Sequence, residues 1–497
     1  MSTFWLFALV NLVPVAIVIA TSPLRGLSRV LTPDTQLVAI LYAIFAIRPL
    51  FSQRFEVSKS SLYRGFYGQL PTYEGQMTAS LVGAFLLWSI AIGAFFYSRW
   101  RNGPDPRYYR SPALNPLPVN ANSPSLPHVR ALICAVAAIV LYFAALMALL
   151  GVARVLAMSR GRSAASAPQN LPEIIGVLPL AGSIAAATII LMARGRPIGF
   201  SAWLSIAACT ALSLMAVSQL GNRRFMIPSL LIVGIALLMR KPVRIRLWHG
   251  VVGLLTLLIF AVVPWVRSEG NRNGLSFPEA IARYLSETGF FGTIRNIFTT
   301  YDTEMYDYIA VVAPRLASGR ADYGYGTGTV LEFLTRPLPA SLLENVERSN
   351  KVREYVFNYD CGIGCGLPFP VPSLGGVLYF DGWYIGVILG GILAGITTRA
   401  LAQRWSRAAT NTVAQNVFTA VFASYVGIAA RTETVYALWH SIYTAIIAAG
   451  VLFVLRQLVH HSGQDRQLVH HSGQDRSRSA YTGGPKTAAG ARRPRMH

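Results

Sequence analysis

Residues 267–298, RSEGNRNGLSFPEAIARYLSETGFFGTIRNIF, open a long polar passage that continues to Leu374. Strongly apolar stretches lie on both sides of it. Only 13% of the 497 residues are charged and 53% are hydrophobic, whereas a soluble globular chain carries about 25% charged residues. Apolar runs of about 20 residues recur before and after the passage, the length that crosses the hydrocarbon core of a bilayer as a helix. The fold class expected is an all-α polytopic integral membrane protein with one large extracytoplasmic loop. A transmembrane β-barrel needs shorter, alternating segments.

The apolar runs place about eleven transmembrane helices near 4–20, 37–51, 77–97, 131–150, 172–192, 199–218, 225–239, 248–266, 375–398, 413–430 and 434–455. They divide the chain into an N-terminal bundle (1–266), the large loop (267–374), C-terminal helices (375–455) and a tail (456–497). The N-terminus has no basic leader or small-residue cleavage signal, so it reads as a retained first span. With the N-terminus outside, the short loops hold 16 Lys and Arg on the inner side and 9 on the outer, as positive-inside orientation requires. The C-terminus is then cytoplasmic. RKPVRIR at 240–246 is the clearest inner marker. Of the acids only Asp34, Asp105, Asp465 and Asp475 fall inside. A net charge of +23 therefore reads as a basic inner face against anionic lipid rather than a nucleic-acid surface. Mixed charge, and any charge chemistry, belongs outside.

Within the loop, 278–298 spaces Ile281, Tyr284, Leu285, Ile294, Ile297 and Phe298 as an amphipathic helix at the membrane surface. Residues 340–357 form a second, more polar helix candidate. Cys361 and Cys365 in DCGIGC are disulfide candidates if exported; Cys134 and Cys209 sit in apolar runs as core residues. Residues 98–130 read as a Pro- and Asn-rich linker. The tail repeats QLVHHSGQDR at 457–466 and 467–476, and its composition reads as a disordered basic segment rather than a metal site.

Charge beside an apolar span is costly and marks function more often than chance. Arginines stand at outward ends: Arg223 and Arg224 in QLGNRRF, Arg267 and Arg272 after the eighth span, Arg336 in FLTRPLP, and Arg431 beside Glu433. Guanidinium forks hold phosphates bidentately, so a convergent set could bind a lipid-linked diphosphate. Each arginine alone could equally snorkel to headgroups. Tyr73 and Glu74, Asp302, Glu304 and Asp307 in YDTEMYDY, Asp381 in YFDGWY, and the YGYG run at 323–326 combine carboxylates and aromatics that suit sugars. His440 in the last span is a bonded core residue or, if open to a cavity near Arg431, a general base. YGYGTGT lacks the dinucleotide-binding spacing. No metal-ligand motif and no cofactor signature stands out.

The layout resembles the O-antigen polymerase, or oligosaccharide repeat-unit polymerase, family. Four stretches carry the likeness: YAIFAIRPL ending in Arg48–Pro49, QLGNRRFMIPSLLI, FLTRPLPASL with Arg336–Pro337, and SLGGVLYFDGWYIGVILGGILAG. In the last, Val377 stands where an acid is common in the family. The resemblance implies a metal-independent glycosyltransferase of the bacterial plasma membrane, joining polyprenyl-diphosphate-linked repeat units on its outer side into a surface polysaccharide. Together with the outward charges, that layout points to Arg223, Arg224, Arg336, Arg431, Arg267, Asp302 and Glu304 as substrate- or diphosphate-binding residues and to His440 or Glu433 as base. Expected partners are lipid-linked oligosaccharides, membrane lipids, a chain-length regulator and a flippase, with no nucleic acid. Two other readings stand beside it: a single-transfer glycan ligase or lipid-linked glycosyltransferase, and a lipid-linked sugar flippase. The flippase reading predicts internal repeats and charge at mid-span, which the sequence does not display.

Overall fold

The computed structural model describes residues 2–24, 31–50, 72–101, 126–151, 173–194, 197–219, 223–240, 279, 282–289, 292–293, 305–319, 322–338, 373–431 and 434–478. Among them every regular element is helical. In chain order these are α1 (Ser2–Ala20), α2 (Pro33–Tyr42, extended by a π-helical turn, Ala43–Ile47), α3 (Tyr73–Arg101), α4 (Leu126–Leu150), α5 (Ala181–Met192, led into by a short helix, Glu173–Val177, and a 3-10 turn, Leu178–Leu180), α6 (Phe200–Gln219) and α7 (Arg223–Arg240). Then follow α8 (Met305–Ala317), a π-turn (Thr327–Leu331) running into α9 (Glu332–Thr335), α10 (Ser373–Ser406), α11 (Val413–Ser424), α12 (Val426–Arg431) and α13 (Thr434–Arg478).

Eight helices among the described residues are long and apolar enough to cross a membrane: Thr3–Ala20, Tyr73–Trp100, His128–Leu149, Ile174–Met192, Phe200–Val217, Ser373–Ser406, Val413–Arg431 and Thr434–Gln457. Each falls on one of the expected spans. Met226–Arg240 is a shorter apolar helix at the seventh, and α2 lies at the second. The expected span at 248–266 lies outside the described residues, as do residues 340–357 and the cysteine pair at 361 and 365. Of the surface helix expected at 278–298, residues 282–289 are helical, with Tyr284 buried but Leu285 exposed. Helix α13 runs on through both copies of the decapeptide to Arg478.

Among the described residues a small apolar core around Tyr142 and two large ones hold the bundle. One joins α1, α2, α3, α8 and α10 around Leu41, Phe45, Leu86 and Tyr308. The other joins α4, α5, α6, α7, α11 and α13 around Ile184, Cys209, Ile232 and Val417. In the second, Ser229 Oγ lies 2.6 Å from Ser183 Oγ and 3.1 Å from Ser213 Oγ. Ser213 also donates to Pro179 O at 2.7 Å. All three hydroxyls are buried. In an apolar medium such shared bonds link helices that hydrophobicity alone does not hold.

Polar contacts fix which helix ends share a side. At one end Arg399 of α10 pairs with Asp34 of α2 at 3.0 Å. Its guanidinium also donates to Val18 O at 3.0 Å, in the last turn of α1, and to Thr21 O at 2.6 Å, just beyond it. Both ionic side chains are fully buried. Asp34, expected in an inner loop, is thus a buried first-turn residue of a helix. Arg194 donates to Ala408 O and Arg240 to Ala193 O at 3.3 Å, which adds the ends of α5, α7 and α10. At the other end Arg48 pairs with Asp307 at 2.5 Å, and Tyr306 donates to Gln76 O at 2.8 Å.

Helix α10 is not the straight span expected at 375–398. Gly382 (φ −143°, ψ 20°) and Trp383 (φ 53°, ψ −152°) break it. Residues 373–381 fold back along 384–406. A Cβ added at Gly386 would lie 2.5 Å from Leu378 O, and one at Gly390 would strike the Leu378 side chain. A Cβ at Gly375 would lie 3.2 Å from Leu86 Cδ2, and one at Gly391 would lie 3.4 Å from Leu86 Cδ1. Residues 375 and 391, like 378 and 386, therefore face each other as in an antiparallel pair. Leu86 is 13 residues into α3, roughly 20 Å along its axis, so the short arm begins deep in the bundle. Its first residues, Ser373 to Val377, are all buried in protein, the condition under which irregular backbone is tolerated at membrane depth. Glycines make the fold possible: Gly93 faces Ile392 O, and Gly395 faces Ile90 O, with no room for a side chain.

Breaking the α1–α2–α10 junction gives the first test. Asp34→Leu leaves the Arg399 charge buried without its counter-ion, a loss of about 3–5 kcal/mol. The double variant Asp34→Leu/Arg399→Met should recover more than half of it. Thermal unfolding of the purified protein in detergent reads both, and a double variant no better than the single one would show that the pair does not couple.

Candidate functional site

The site lies at the end of the bundle marked by Arg48 and Asp307. Helix α8 rests there on the start of α3. Met305, Tyr306, Tyr308 and Ile309 are buried, and Gly75 lets α3 touch the backbone of Ala310. Tyr306 Oη bonds Ser80 Oγ at 3.0 Å, and burial pushes its phenol well above the ordinary range. The Arg48–Asp307 pair is almost completely buried, where partnered ions at short range are held far more firmly than on a surface. It ties residues 259 apart in sequence. Arg48 follows directly on the π-turn of α2, a local widening that often marks functional positions.

After α8, residues 322–338 lie across two other elements. On one side the Gly324 N–H donates to Phe380 O at 2.8 Å, and the Gly328 N–H donates to Asp381 Oδ1 at 2.9 Å. Both acceptors end the short arm of α10. On the other side Trp439 Nε1 of α13 donates to Phe333 O at 2.8 Å, and the two rings stack with centroids 5.1 Å apart. The strap therefore joins the tip of α10 to the first turns of α13.

Arg336 sits at the α13 side of this strap. Its guanidinium lies 4.6 Å above the Tyr436 ring, a cation–π contact, and pairs with Glu332 at 2.5 Å. Tyr436 lies 3.8 Å from the His440 ring, centroid to centroid. His440 is buried, with Nδ1 2.8 Å from Tyr436 O. A carbonyl only accepts, so Nδ1 carries the proton of that bond and Nε2 is the basic atom of the neutral ring. Arg336, Tyr436 and His440 thus form one stacked series.

The other expected residues fall around this series in different ways. Arg431 ends α12, three residues before α13 begins. Arg223 and Arg224 begin α7, which packs on α11, the helix that leads into α12. The end of α12 leads into the first turns of α13, which carry Tyr436. Arg267, Asp302, Glu304 and Glu433 lie outside the described residues. From YDTEMYDY, Asp307 serves as the partner of Arg48, and Asp381 receives an N–H from the strap. The sequence reading missed the Arg48–Asp307 pair. Its only signal was an arginine at a span end and an acid in an aromatic loop. Among the described residues no group of three or more His, Cys, Asp or Glu converges as a metal site would.

A scan against protein-family models finds no match, and neither the curated proteins nor the solved structures contain one.

The Arg48–Asp307 pair generates the second test. Asp307→Ala strands the Arg48 charge and should loosen α8 and the strap, seen as faster proteolytic cutting within 305–338. Glu287→Ala, which removes an exposed (i,i+4) pair with Arg283 worth about 0.3–0.5 kcal/mol, should leave the cutting rate unchanged. Equal rates in Asp307→Ala and wild type would remove the pair as the anchor.

Proposed function

We propose that the chain is a polymerase that joins polyprenyl-diphosphate-linked oligosaccharide repeat units into a surface polysaccharide on the outer side of the bacterial plasma membrane. The observation that carries this reading is the series Arg336–Tyr436–His440 at one end of an apolar bundle. It brings a cation and a titratable base together where a lipid-borne headgroup would lie. The topology behind it has about eleven spans, the N-terminus outside and the C-terminus in the cytoplasm. Support comes from Arg240 and Asp307 lying at opposite ends of the bundle, as an odd number of crossings between them requires.

In this reading the acceptor sugar hydroxyl attacks the anomeric carbon of the donor glycan. The new C–O bond forms as the bond to the diphosphate oxygen breaks, and polyprenyl diphosphate leaves with that electron pair. The hydroxyl proton passes to His440 Nε2, whose ring is buried in the free protein and has to be uncovered by movement of the strap. Arg336 meets the charge developing on the leaving group and exchanges its Glu332 contact for the diphosphate. Arg431, Arg223 and Arg224 supply further positive charge from the neighbouring helix ends. No cofactor enters the chemistry. Lipid-linked oligosaccharides and membrane lipids are the partners, with a chain-length regulator and a flippase acting on the same substrate.

The folded-back arm of α10 favours a second reading, because discontinuous helices also build transporter sites. A strain lacking the protein separates the two. Single lipid-linked units should accumulate on the outer leaflet if polymerisation is lost, and on the cytoplasmic leaflet if transport is lost.

The polymerase reading expects Arg336→Ala to lower the rate of chain growth about 10²–10³-fold. The gel ladder of surface polysaccharide should collapse to one or a few units, with Arg336→Lys intermediate. A wild-type ladder in Arg336→Ala would remove Arg336 from the reaction, and a single discrete addition in wild type would make the enzyme a ligase.

A further inference from the structure

A cavity of about 430 Å³ opens beside the strap, lined by Tyr323, Tyr325, Asp381, Trp383, Leu316 and Ile385 among others. Its volume lies within the roughly 300–1,000 Å³ of small-ligand sites. Asp381 is only 5% exposed. Its Oδ1 is satisfied by the Gly328 N–H, but its Oδ2 is buried with no hydrogen-bond partner. Such an oxygen costs free energy unless a donor reaches it. An ionised carboxylate only accepts, so the missing partner is a hydroxyl or N–H and not a phosphate, which the carboxylate repels.

Aromatic rings line the cavity that Asp381 borders. Trp383 is 49% exposed and Tyr325 81% exposed. Both are held at positive φ, 53° and 48°, a conformation that costs of order 1–3 kcal/mol in side-chain-bearing residues and clusters at ligand sites. Tyr323 adjoins Tyr325 and Tyr379, with ring centroids 6.5 and 6.1 Å apart. Hydroxyl donors for a carboxylate, with a C–H face for aromatic π-clouds, describe one ligand class: a neutral sugar ring.

We propose that this cavity is a sugar subsite, in which Asp381 Oδ2 accepts hydroxyls of one pyranose while Trp383 and Tyr325 meet its apolar face. The assignment deepens the polymerase reading, because the strap that closes the cavity also carries Arg336. It divides the substrate by charge: sugar at the Asp381 end of the strap, diphosphate at the Arg336 end.

The test uses the full-length protein in lipid nanodiscs. The probes are methyl glycosides of the monosaccharides present in the producing cell's surface polysaccharide, with binding read by saturation-transfer NMR and tryptophan fluorescence. At least one glycoside should bind saturably to the wild type. Asp381→Asn should bind it about tenfold more weakly, the scale of one hydrogen bond to a charged group. Trp383→Gly, which keeps the φ of 53° without strain, should lose both the binding and the fluorescence change while unfolding at the wild-type temperature or above. No saturable binding by any glycoside overturns the proposal, as does binding that both variants retain. So does Asp381-dependent binding of tetramethylammonium in place of sugars, which would make the cavity a cation cage. Glycoside binding that needs both residues, in a protein whose Arg336→Ala variant still polymerises normally, upholds the subsite and sinks the polymerase mechanism.

Discussion

Two buried ion pairs, one at each end of α2, set the arrangement of half of this molecule. Asp34 fastens the start of the helix to Arg399 of α10, and Arg48 fastens its far end to Asp307 of α8. In lipid, apolar side chains gain nothing from leaving the solvent, so shape and polar bonding choose the neighbours. Burying a charge is tolerable only with its counter-charge in place. Each pair therefore admits one partner and one distance. Asp34–Arg399 holds α1, α2 and α10 together at one side. Arg48–Asp307 brings a polar segment down on the other. The strap at 322–338, with Arg336 and the Asp381 cavity, follows directly on the helix that Arg48 anchors.

The short arm at 373–381 depends on the same economy. A chain that turns back inside a membrane exposes helix ends to a medium without hydrogen-bond donors or acceptors. Here Ser373 caps the arm by accepting from the Gly376 N–H, and the surrounding helices cover its first residues. The reversal at Gly382–Trp383 delivers Asp381 and Phe380 to the strap, which meets both through backbone N–H groups. Packing at the arm, strain at Trp383 and the chemistry of the cavity are thus consequences of one turn.

Much of the helical layout was legible because hydropathy is additive along a span. Runs such as 77–97 and 131–150 needed no tertiary information. The reversal in α10 was not legible, because both arms are apolar and hydropathy does not record direction. Only DGW, with an acid and a glycine in an otherwise apolar run, hinted at it. The glycines at 386, 390 and 391 fall inside the span expected at 375–398, and in the fold they make room for a returning arm and for α3. The arginines singled out at span ends, such as Arg223 and Arg431, read as lipid-facing or substrate-facing, and neither Arg399 nor Arg48, the internal fasteners, is among them. Nothing local separates these roles, since the deciding acid lies hundreds of residues away. Arg336 and His440 were singled out separately, and Tyr436, which the sequence offered no reason to choose, is what joins them.

The serine trio between α5, α6 and α7 has a consequence for how that half of the bundle can move. Each hydroxyl bond in lipid contributes little, about 0.6 kcal/mol on average, so the cluster adds modestly to stability. A hydroxyl reaches its neighbour only from one rotation of its helix, however, and three helices meeting at one point cannot turn separately. Ser229 lies six residues after Arg223, so the rotational register of α7 is fixed less than two turns from its arginine-bearing start. Sliding or tilting of α5, α6 and α7 would have to occur as a block, which gives that helix end a constant azimuth towards whatever binds beside it.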